Sequence, residues 1–447
     1  MSKGKSITLL TIVSVLMAII MVMTFVRFPI GIKEYNSALG AIELDYDVQG
    51  GVAYTLSLAS DNEEEVDDVE NVIDTLKQRI EALGYSTYSI KAVKSTDAAV
   101  LDHDIRIELK ETATVNDDIQ AVAAFGEVKF FGGSEDNPTT EILADMEVVD
   151  DSEYLGMQAE NNHVISIVFN SDAKDALIEA INAVEGSYYL KITCGETATG
   201  EENVLFKSTI TADVFDGNML GISGIGTEEA AQRMALQVRS GGLAYKYEIS
   251  DGVSVTSPYG EDVALKCAVA IMSLVLVVMI LLIVAYRGLG LIASLATLLF
   301  ILFETWLMIG VPGIVMSMGG IVGIIAATVL TSVCLVVLSQ RVKDEYANSE
   351  KTVKAAISKG FRQALLPTIN VHVVAGIVAI LLLIFTHGVV RNFAVTFGIG
   401  VIVSLISTLV FTRMFTSLIM PLVNNKEKFL RFKRAEKVAL PEVKEEN

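Results

Sequence analysis

The segment VPGIVMSMGGIVGIIAATVLTSVCLVVL, residues 311–338, contains no charged residue. A helix of about 20 apolar residues spans the hydrocarbon core of a bilayer, so this segment is long enough to cross a membrane. Its glycine, alanine, serine and threonine residues are typical of a membrane helix that packs closely against its neighbours. The segment therefore predicts a closely packed transmembrane helix without a carboxylate, an amine or an imidazole.

Five other apolar segments have a similar length, and together with the first they predict six membrane spans. The first in the chain follows Lys3 and Lys5 and has a longer apolar run than a signal peptide. We therefore interpret residues 1–29 as an uncleaved membrane anchor rather than a cleaved leader. The five segments lie at about 7–26, 267–286, 289–309, 366–386 and 394–420.

The charged residues are unevenly distributed along the chain. Residues 27–262 contain 45 Asp and Glu against 15 Lys and Arg, whereas the remainder contains 9 acidic and 19 basic residues. Basic residues are concentrated in the loop at 340–363 and in the tail at 424–447. The positive-inside rule then predicts cytoplasmic N- and C-termini, with the acidic block outside the cell membrane. The acidic block argues against nucleic acid as a partner, because phosphate groups would be repelled.

The acidic block at 30–262 has the pattern of an α+β domain. Segments rich in β-branched and aromatic residues predict strands, and the polar, weakly patterned region at 132–162 predicts loops. The order of the predicted elements fits a ferredoxin-like, split βαβ layout with an insertion between about 112 and 225. Two tandem βαββαβ units, at about 45–132 and 163–250, fit the periodicity equally well.

Several segments of the chain resemble SecD, a subunit of the bacterial protein-export machinery and a member of the RND superfamily. They occur in the order found in that family and extend over nearly the whole chain. The resemblance implies an α-helical, six-span half bundle, with its last five spans at 263–423, and an outer base (about 40–111 and 226–262) that carries an inserted head (about 112–225). The segments are DYDVQGGV at 45–52, IEALGYS at 80–86, MALQVRSGGL at 234–243, GIVGI at 320–324, GFRQALLPTIN at 360–370 and NFAVTFGIGVIVSLISTLVFTR at 392–413.

The resemblance also implies a function and a set of partners. A SecD-like accessory subunit assists the export of unfolded polypeptides through the SecYEG channel, together with a six-span SecF-like partner and the proton-motive force. The chain would then be a multi-pass protein of the bacterial cell membrane and not an enzyme. Two alternatives stay open: half of an RND-type exporter of small molecules or lipids, and a non-transporting scaffold of the export channel.

The chain departs from the family at the acidic residues of the membrane. Family members carry an Asp in the fourth span, and an ungapped alignment of Gly320, Gly323 and Arg341 places Val333 at that position. Leu335 stands at the position of the accompanying Asn. Because a proton relay needs an ionisable group inside the bundle, we expect the proton-motive force to act chiefly through the SecF-like partner.

Four polar residues in the predicted spans are candidates for a proton path or another intramembrane role. The resemblance places Asn370 and His372 at the first and last positions of a second family motif, D-A-N in the fifth span, and an imidazole titrates near neutral pH. Glu304 lies in the third span, ~24 Å from its cytoplasmic end and about 14 Å farther than Val333 at ~1.5 Å per residue. The structural alternatives are that His372 is hydrogen-bonded between helices and that the Glu304 carboxyl is bonded to Tyr or Thr near the outer interface. Arg413 lies at the end of the sixth span, where we expect its side chain to extend to the lipid headgroups.

Six residues of the outer domain match the family motifs. Their glycines predict tight turns or, alternatively, a hinge for the head. The sequence shows no phosphate-binding loop, nucleophile motif or cluster of metal ligands, so it predicts no cofactor and no ATP-driven step. The six motif residues are Asp45, Gln49, Gly50, Gly51, Arg239 and Gly241.

Overall fold

The computed structural model divides the chain into two compact units, residues 1–48 with 259–447 and residues 49–258. We call them the membrane unit and the sheet unit. The residues that the structure describes are 3–30, 33–59, 69–94, 103–142, 153–159, 162–184, 186–196, 202–211, 215–240, 243, 245–311, 314–348 and 352–432.

The membrane unit begins with one long helix and a short connecting segment. The helix α1 (Lys3–Phe25) is the first span, and its side chains are largely exposed on the surface of the unit. A two-stranded antiparallel hairpin of β1 (Phe28–Ile30) and β2 (Lys33–Tyr35) follows it. A 3-10 turn (Leu39–Ala41) and the four-residue helix α2 (Tyr46–Gln49) then lead into the sheet unit.

The sheet unit alternates strands and helices over its described residues. The sequence VAYTLSLA at 52–59 predicts a strand, and β3 begins and ends one residue before that segment. The sequence also predicts that the first helix of this unit begins at Asp61, which lies outside the described residues. In chain order the elements are β3 (Gly51–Leu58), α3 (Val69–Ala82), β4 (Ser89–Lys94), β5 (His103–Leu109), α4 (Val115–Val122), β6 (Val128–Gly133), β7 (Glu153–Ala159), β8 (Asn162–Val168), α5 (Ser171–Asn182), β9 (Tyr188–Glu196), β10 (Glu202–Ile210), β11 (Phe215–Asp216), β12 (Met219–Ile225), α6 (Glu228–Ser240), β13 (Tyr247–Ile249) and β14 (Val253–Val255).

The strand order of the first sheet is that of a split βαβ unit. It runs β13-β3-β5-β4, with β14 also paired to β3 and every pairing antiparallel. Strand β5 lies between β3 and β4, which α3 connects, and this confirms the predicted fold class. The alternative of two tandem βαββαβ units requires the strands between 163 and 250 to share one sheet. They do not, because β13 pairs with β3 of the first sheet, whereas β8 and β9 belong to two further sheets, β11-β12-β8-β7 and β10-β9-β6.

Strands β7 and β12 are among the strands of the sheet unit that were not expected from the sequence. The region at 132–162, predicted as loops, contains β7, and β12 also lacks a predicted counterpart. Glycines lie within or beside both strands (Gly156 in β7, Gly221 and Gly224 in β12), and glycine lowers strand propensity. Both strands gain their stability by pairing with β8, which is a contact that local sequence does not encode.

The sheet unit has two separate hydrophobic cores. The first joins β3 and β5 to α3 and α4, through side chains such as Leu56, Leu76 and Ile119. The second joins β6, β8, β9 and β12 to α5 and α6, through side chains such as Phe169 and Leu190. The helix α4 therefore packs in the first core and α6 in the second, and the division into a base and a moving head stays a prediction.

The remaining helices complete the membrane unit, whose described residues form six helices that are long and apolar enough to cross a membrane. This confirms the six predicted spans. Two helices extend beyond their apolar segments, so that only five residues separate α9 from α10. The helices are α7 (Val263–Tyr286), α8 (Gly288–Gly310), α9 (Met318–Ala347), α10 (Val353–Phe385), α11 (Gly388–Ile406), a π-helical turn (Ser407–Phe411), α12 (Thr412–Ile419) and the short α13 (Lys426–Leu430).

Small residues hold α9 close to α11, as the opening segment predicts. A Cβ atom at Gly323 would overlap the hydroxyl of Thr396 on α11. One turn farther along α9, Ala327 faces Gly400 of α11, and a Cβ atom at Gly400 would overlap the Ala327 side chain. Close contact between helices without large side chains is the usual way in which membrane helices associate.

Candidate functional site

Glu304 is the acidic residue at the centre of the candidate intramembrane site. Its side chain is 0% exposed, and helix α8 directs it toward the contact between α9 and α11. A Cβ atom at Gly400 would lie 2.5 Å from its Oε1. Neither carboxylate oxygen has a hydrogen-bond partner among the described residues, so the Tyr or Thr partner that the sequence allowed is not found there. A charge at this position would be uncompensated, which is costly inside a membrane.

His372 occupies the second buried polar position, on α10. Its Nδ1 lies 2.7 Å from the carbonyl oxygen of Thr368, and its Nε2 lies 2.9 Å from the hydroxyl of Ser404 on α11. Ser404 follows Gly400 by four residues, which corresponds to ~6 Å along the helix axis. Helix α11 therefore contacts Glu304 and His372 at adjacent turns of the same helix.

The sixth span changes its helical geometry one turn beyond Ser404. The π-helical turn at Ser407–Phe411 interrupts the α-helix, and such turns are frequent at functional sites. The hydroxyl of Ser407 donates to the carbonyl of Ala296 on α8, at 2.8 Å, and the buried Thr408 hydroxyl has no described partner. Several hydroxyl groups of the membrane unit are buried, and the Ser404 hydroxyl among them contacts His372. These belong to Thr297, Thr328, Thr331, Thr396, Ser404, Ser407 and Thr408.

The other sequence candidates of the membrane lie on its surface. Val333, at the position of the family Asp, is 53% exposed, whereas Leu335 is buried. An acid at position 333 would therefore face outward from this bundle rather than into its interior. Asn370 is exposed on α10, two residues from both Thr368 and His372 and therefore on roughly the opposite side of the helix. Arg413 is exposed near the end of the sixth span, as a side chain that reaches the headgroups would be.

The DYDVQGGV motif begins in a segment that pairs with the start of α9. The Asp45 amide donates to the carbonyl of Met316 at 3.0 Å, and the Met316 amide donates to the carbonyl of Glu43 at 2.8 Å. Oδ2 of Asp47 accepts from the amide of Met318, the first residue of α9, at 2.8 Å. The motif thereby satisfies a free amide at a helix N-terminus, where a carboxylate is also favoured by the helix dipole.

Asp47 was not singled out from the sequence, yet its environment is the more unusual of the two motif carboxylates. Burial raises its pKa to about 6, although the bond from the Met318 amide and the backbone amides acts in the opposite direction. The neighbouring Asp45 adds to the increase. Asp45 is itself buried, and its Oδ2 lies 3.5 Å from the side-chain amide of Asn392 on α11.

The remaining motif residues are structural or peripheral in the described part of the chain. Gly50 has a positive φ of 88°, and a Cβ atom there would overlap the carbonyl oxygen of Val255. Gly51 lies equally close to the backbone of Leu109, so both glycines have the tight geometry that was expected. Gln49 and Arg239 are exposed. Gly241 lies outside the described residues.

A buried ion pair connects the two cores of the sheet unit. Nη1 of Arg233 on α6 lies 2.8 Å from Oδ1 of Asp118 on α4. The other oxygen of Asp118 accepts from the hydroxyls of Tyr85, at 2.7 Å, and Thr114, at 3.0 Å. Burial raises the pKa of Tyr85 above its usual value, so this hydroxyl stays a donor at physiological pH. A cavity of about 230 Å³ beside this pair is lined by Asp117, Arg233, Asn203 and Lys246 among others.

Comparisons with known proteins agree with this architecture. The family model described as "Protein export membrane protein SecD/SecF, C-terminal" matches residues 239–420. The chain is 23% identical to the protein translocase subunit SecD of Acidaminococcus fermentans over 406 residues, which are 90% of this chain and 89% of that relative. It is 29% identical to SecD of Escherichia coli K12 over 189 residues, which are 42% of this chain and 31% of that relative.

A solved structure supports the fold over almost the whole chain. The crystal structure of SecDF in its super-membrane-facing form superimposes with a TM-score of 0.66 at 22% identity, covering 92% of this chain and 57% of the SecDF chain. The architecture is that of a multi-pass membrane protein with a helical bundle and a large α+β domain inserted between its first two spans. Within that class, the chain is similar to SecD proteins along most of its length, and residues 239–420 match the SecD/SecF family model.

Proposed function

We propose that this protein is an accessory subunit of the Sec preprotein translocase, which assists protein export across the bacterial cell membrane. The observation that carries the proposal is the match to SecD relatives along 90% of the chain, with the sheet unit in the expected place between spans one and two. The orientation that follows from the basic loops would place the sheet unit outside the cytoplasm, where the exported polypeptide emerges.

A SecF-like six-span partner is the second part of the proposal. One face of α9 carries exposed valines at helical spacing, Val322, Val329 and Val333, which are 50%, 47% and 53% exposed. Such a stripe fits a contact with another membrane helix. Because Val333 stands on this stripe at the family's acidic position, we expect the partner to supply the main intramembrane acid of the assembled pair.

Glu304 and His372 extend this proposal to a contribution from the chain itself. Both are buried, both adjoin α11, and ionisable groups inside a bundle are costly unless they have a function. We expect proton-motive force to act mainly through the partner, with Glu304 and His372 adding a polar path inside this bundle. The polar, charged lining of the sheet-unit cavity favours polypeptide handling over the export of an apolar small molecule.

The proposed function is tested in membrane vesicles that contain SecYEG, the SecF-like partner and this protein. Copurification of the three, together with translocation that rises when a proton gradient is imposed, is the expected result. Copurification without any effect of the gradient or of this chain on translocation would favour a scaffold instead. Export of an apolar small molecule without copurification would favour an RND-type exporter and contradict the proposal.

A further inference from the structure

An apolar cavity of about 490 Å³ lies within the membrane unit. Its walls come from α1, α7, α8 and α9 and from the segment at 39–48 that follows the hairpin. The volume falls in the range of ~300–1,000 Å³ that is typical of ligand-binding sites. The cavity is separate from the Glu304 and His372 positions, since neither residue lines it.

The lining of the cavity runs from the buried interior to the surface that the bilayer surrounds. Ile324 and Met308 are buried, whereas Met21 on α1 and Leu265 and Met272 on α7 line the same cavity and are exposed. The cavity therefore has an apolar lateral mouth between α1 and α7. An apolar ligand that enters the cavity from the bilayer would exchange one apolar environment for another. Its affinity for the cavity would therefore depend on the fit of its shape and on the contacts of any headgroup.

One cation stands among the lining residues. Arg27 follows the end of α1 by two residues, which is the depth at which headgroups begin, and its side chain is exposed. The two lining threonines have no hydroxyl proton free for the carbonyl groups of a ligand backbone, because Thr24 and Thr305 each donate to a carbonyl of their own helix, at 2.8 Å. The cavity thus offers apolar walls with a positive charge at the headgroup level.

We propose that this cavity binds an acyl chain of a phospholipid whose anionic headgroup contacts Arg27. An apolar polypeptide fits less well. A helix of ~10 Å diameter occupies about 400 Å³ per turn, so the cavity holds only about one turn. An extended peptide would leave backbone groups without hydrogen bonds in an apolar site. A lipid acyl chain has no such groups.

The chain carries its own reporter for this site. Trp306 is its one tryptophan, and the indole nitrogen donates to the hydroxyl of Thr24, a lining residue, at 3.0 Å. Bromine atoms on an acyl chain quench tryptophan fluorescence at short range. The protein is reconstituted into phosphatidylcholine vesicles that contain a fixed small fraction of either brominated phosphatidylglycerol or brominated phosphatidylcholine. Unselective lipid around the protein would quench equally from both.

We expect brominated phosphatidylglycerol to quench at concentrations about five-fold lower than brominated phosphatidylcholine, the factor that one arginine near an anionic lipid provides. Arg27→Ala removes the preference for phosphatidylglycerol. Lys266→Ala, which removes an exposed cation in the first turn of α7, retains it. Ala268→Phe fills the cavity and lowers the quenching, while Ala270→Phe, an exposed position on the same helix, leaves it unchanged. Circular dichroism confirms that each variant folds.

Two results would overturn the proposal. One is equal quenching by the two brominated lipids in the wild-type protein. The other is quenching that Ala268→Phe does not change while the same variant loses binding of an apolar helical peptide, which would assign the cavity to polypeptides. Because Arg27 is exposed, Arg27→Ala tests the headgroup contact even if Ala268→Phe destabilises the fold. Neither outcome depends on translocation, so the proposed function is tested separately.

Discussion

The Nε2 atom of His372 lies 2.9 Å from the hydroxyl of Ser404, one turn along α11 from Gly400, where the helix contacts the carboxyl group of Glu304. Two ionisable side chains from α8 and α10 are thus brought to adjacent turns of a third helix. The lack of an acid at Val333 was the reason to expect proton-motive force to act chiefly through a SecF-like partner. In the structure, position 333 faces outward, whereas the Glu304 carboxyl is buried inside the bundle.

Glu304→Gln tests whether the buried carboxyl contributes to proton coupling. The amide keeps the size of the side chain and its contact with Gly400 but cannot release a proton. We expect translocation to lose part of its stimulation by a proton gradient, with the rate without a gradient unchanged. Thr416→Val, which removes a buried hydroxyl that donates to the carbonyl of Thr412 on its own helix, α12, is the control. Full stimulation in Glu304→Gln would show that its carboxyl is not used.

His372→Ala tests the second position on the same pathway. The variant removes the imidazole and leaves the Ser404 hydroxyl without its described partner across the helices. We expect the pH dependence of gradient-driven translocation to change, because histidine is the side chain that titrates near neutral pH. The profile is measured in vesicles between about pH 6 and 8. An unaltered rate and an unaltered pH profile would remove His372 from the proposed path and leave it a packing residue.

Gly400→Ala tests the close contact of α9 with α11. The new methyl group would overlap Ala327 and approach Glu304, and overpacking of a well-packed interior costs about 1–3 kcal/mol. Gly376→Ala, on α10, is the matched control, since a Cβ atom there meets nothing within 4 Å. We expect a lower midpoint of thermal unfolding in detergent for the first variant, and an unchanged or slightly higher one for the second.

Asp47→Asn tests the carboxyl group that caps α9. Because burial raises its pKa to about 6, the folded protein holds this proton more firmly than the unfolded chain, in which an Asp titrates near 3.8. This contribution to stability is therefore present below about pH 4 and is lost as the pH rises to about 6. An Asn side chain still accepts from the Met318 amide but carries no charge.

We therefore expect Asp47→Asn to unfold at a higher temperature than the wild-type protein at pH 7.5, with the difference becoming smaller toward pH 4.5. The pKa shift of Asp47, from 3.8 to about 6, corresponds to a difference of about 3 kcal/mol in the free energy of unfolding, at ~1.4 kcal/mol per pKa unit. Asp262→Asn, at an exposed position beside the start of α7, should show no such pH-dependent difference. A variant that is destabilised equally at both pH values would instead indicate that the Asp47 charge favours the cap.

The six spans and the split βαβ sheet follow from composition and periodicity, but the positions of the polar groups do not. Hydropathy predicts only the apolar part of α10, from about residue 366, whereas the helix begins at Val353, 19 residues before His372. A sequence pattern cannot show that Asp47 meets Met318, 271 residues away. The orientation of Val333 likewise depends on packing between helices rather than on spacing within one.

Asp118 and Arg233 allow a test of how the two cores of the sheet unit are joined. Removing Arg233 would leave Asp118, whose side chain is 9% exposed, without its cation. Breaking a fully buried pair costs about 3–5 kcal/mol, and the partial exposure of Arg233 lowers this to about 2–3 kcal/mol. We expect Arg233→Ala to lower the unfolding midpoint and to increase hydrogen exchange in the segments at 115–122 and 228–240. Lys77→Ala, which breaks the exposed pair with Asp74, should change stability by less than about 0.5 kcal/mol.

A double-mutant cycle of Arg233→Ala with Asp118→Ala then isolates the contribution of the ion pair. A coupling energy of about 1–2 kcal/mol is expected for two residues in contact. If the two substitutions are additive, the cores are joined by packing alone, and a moving head would not need to break this ion pair.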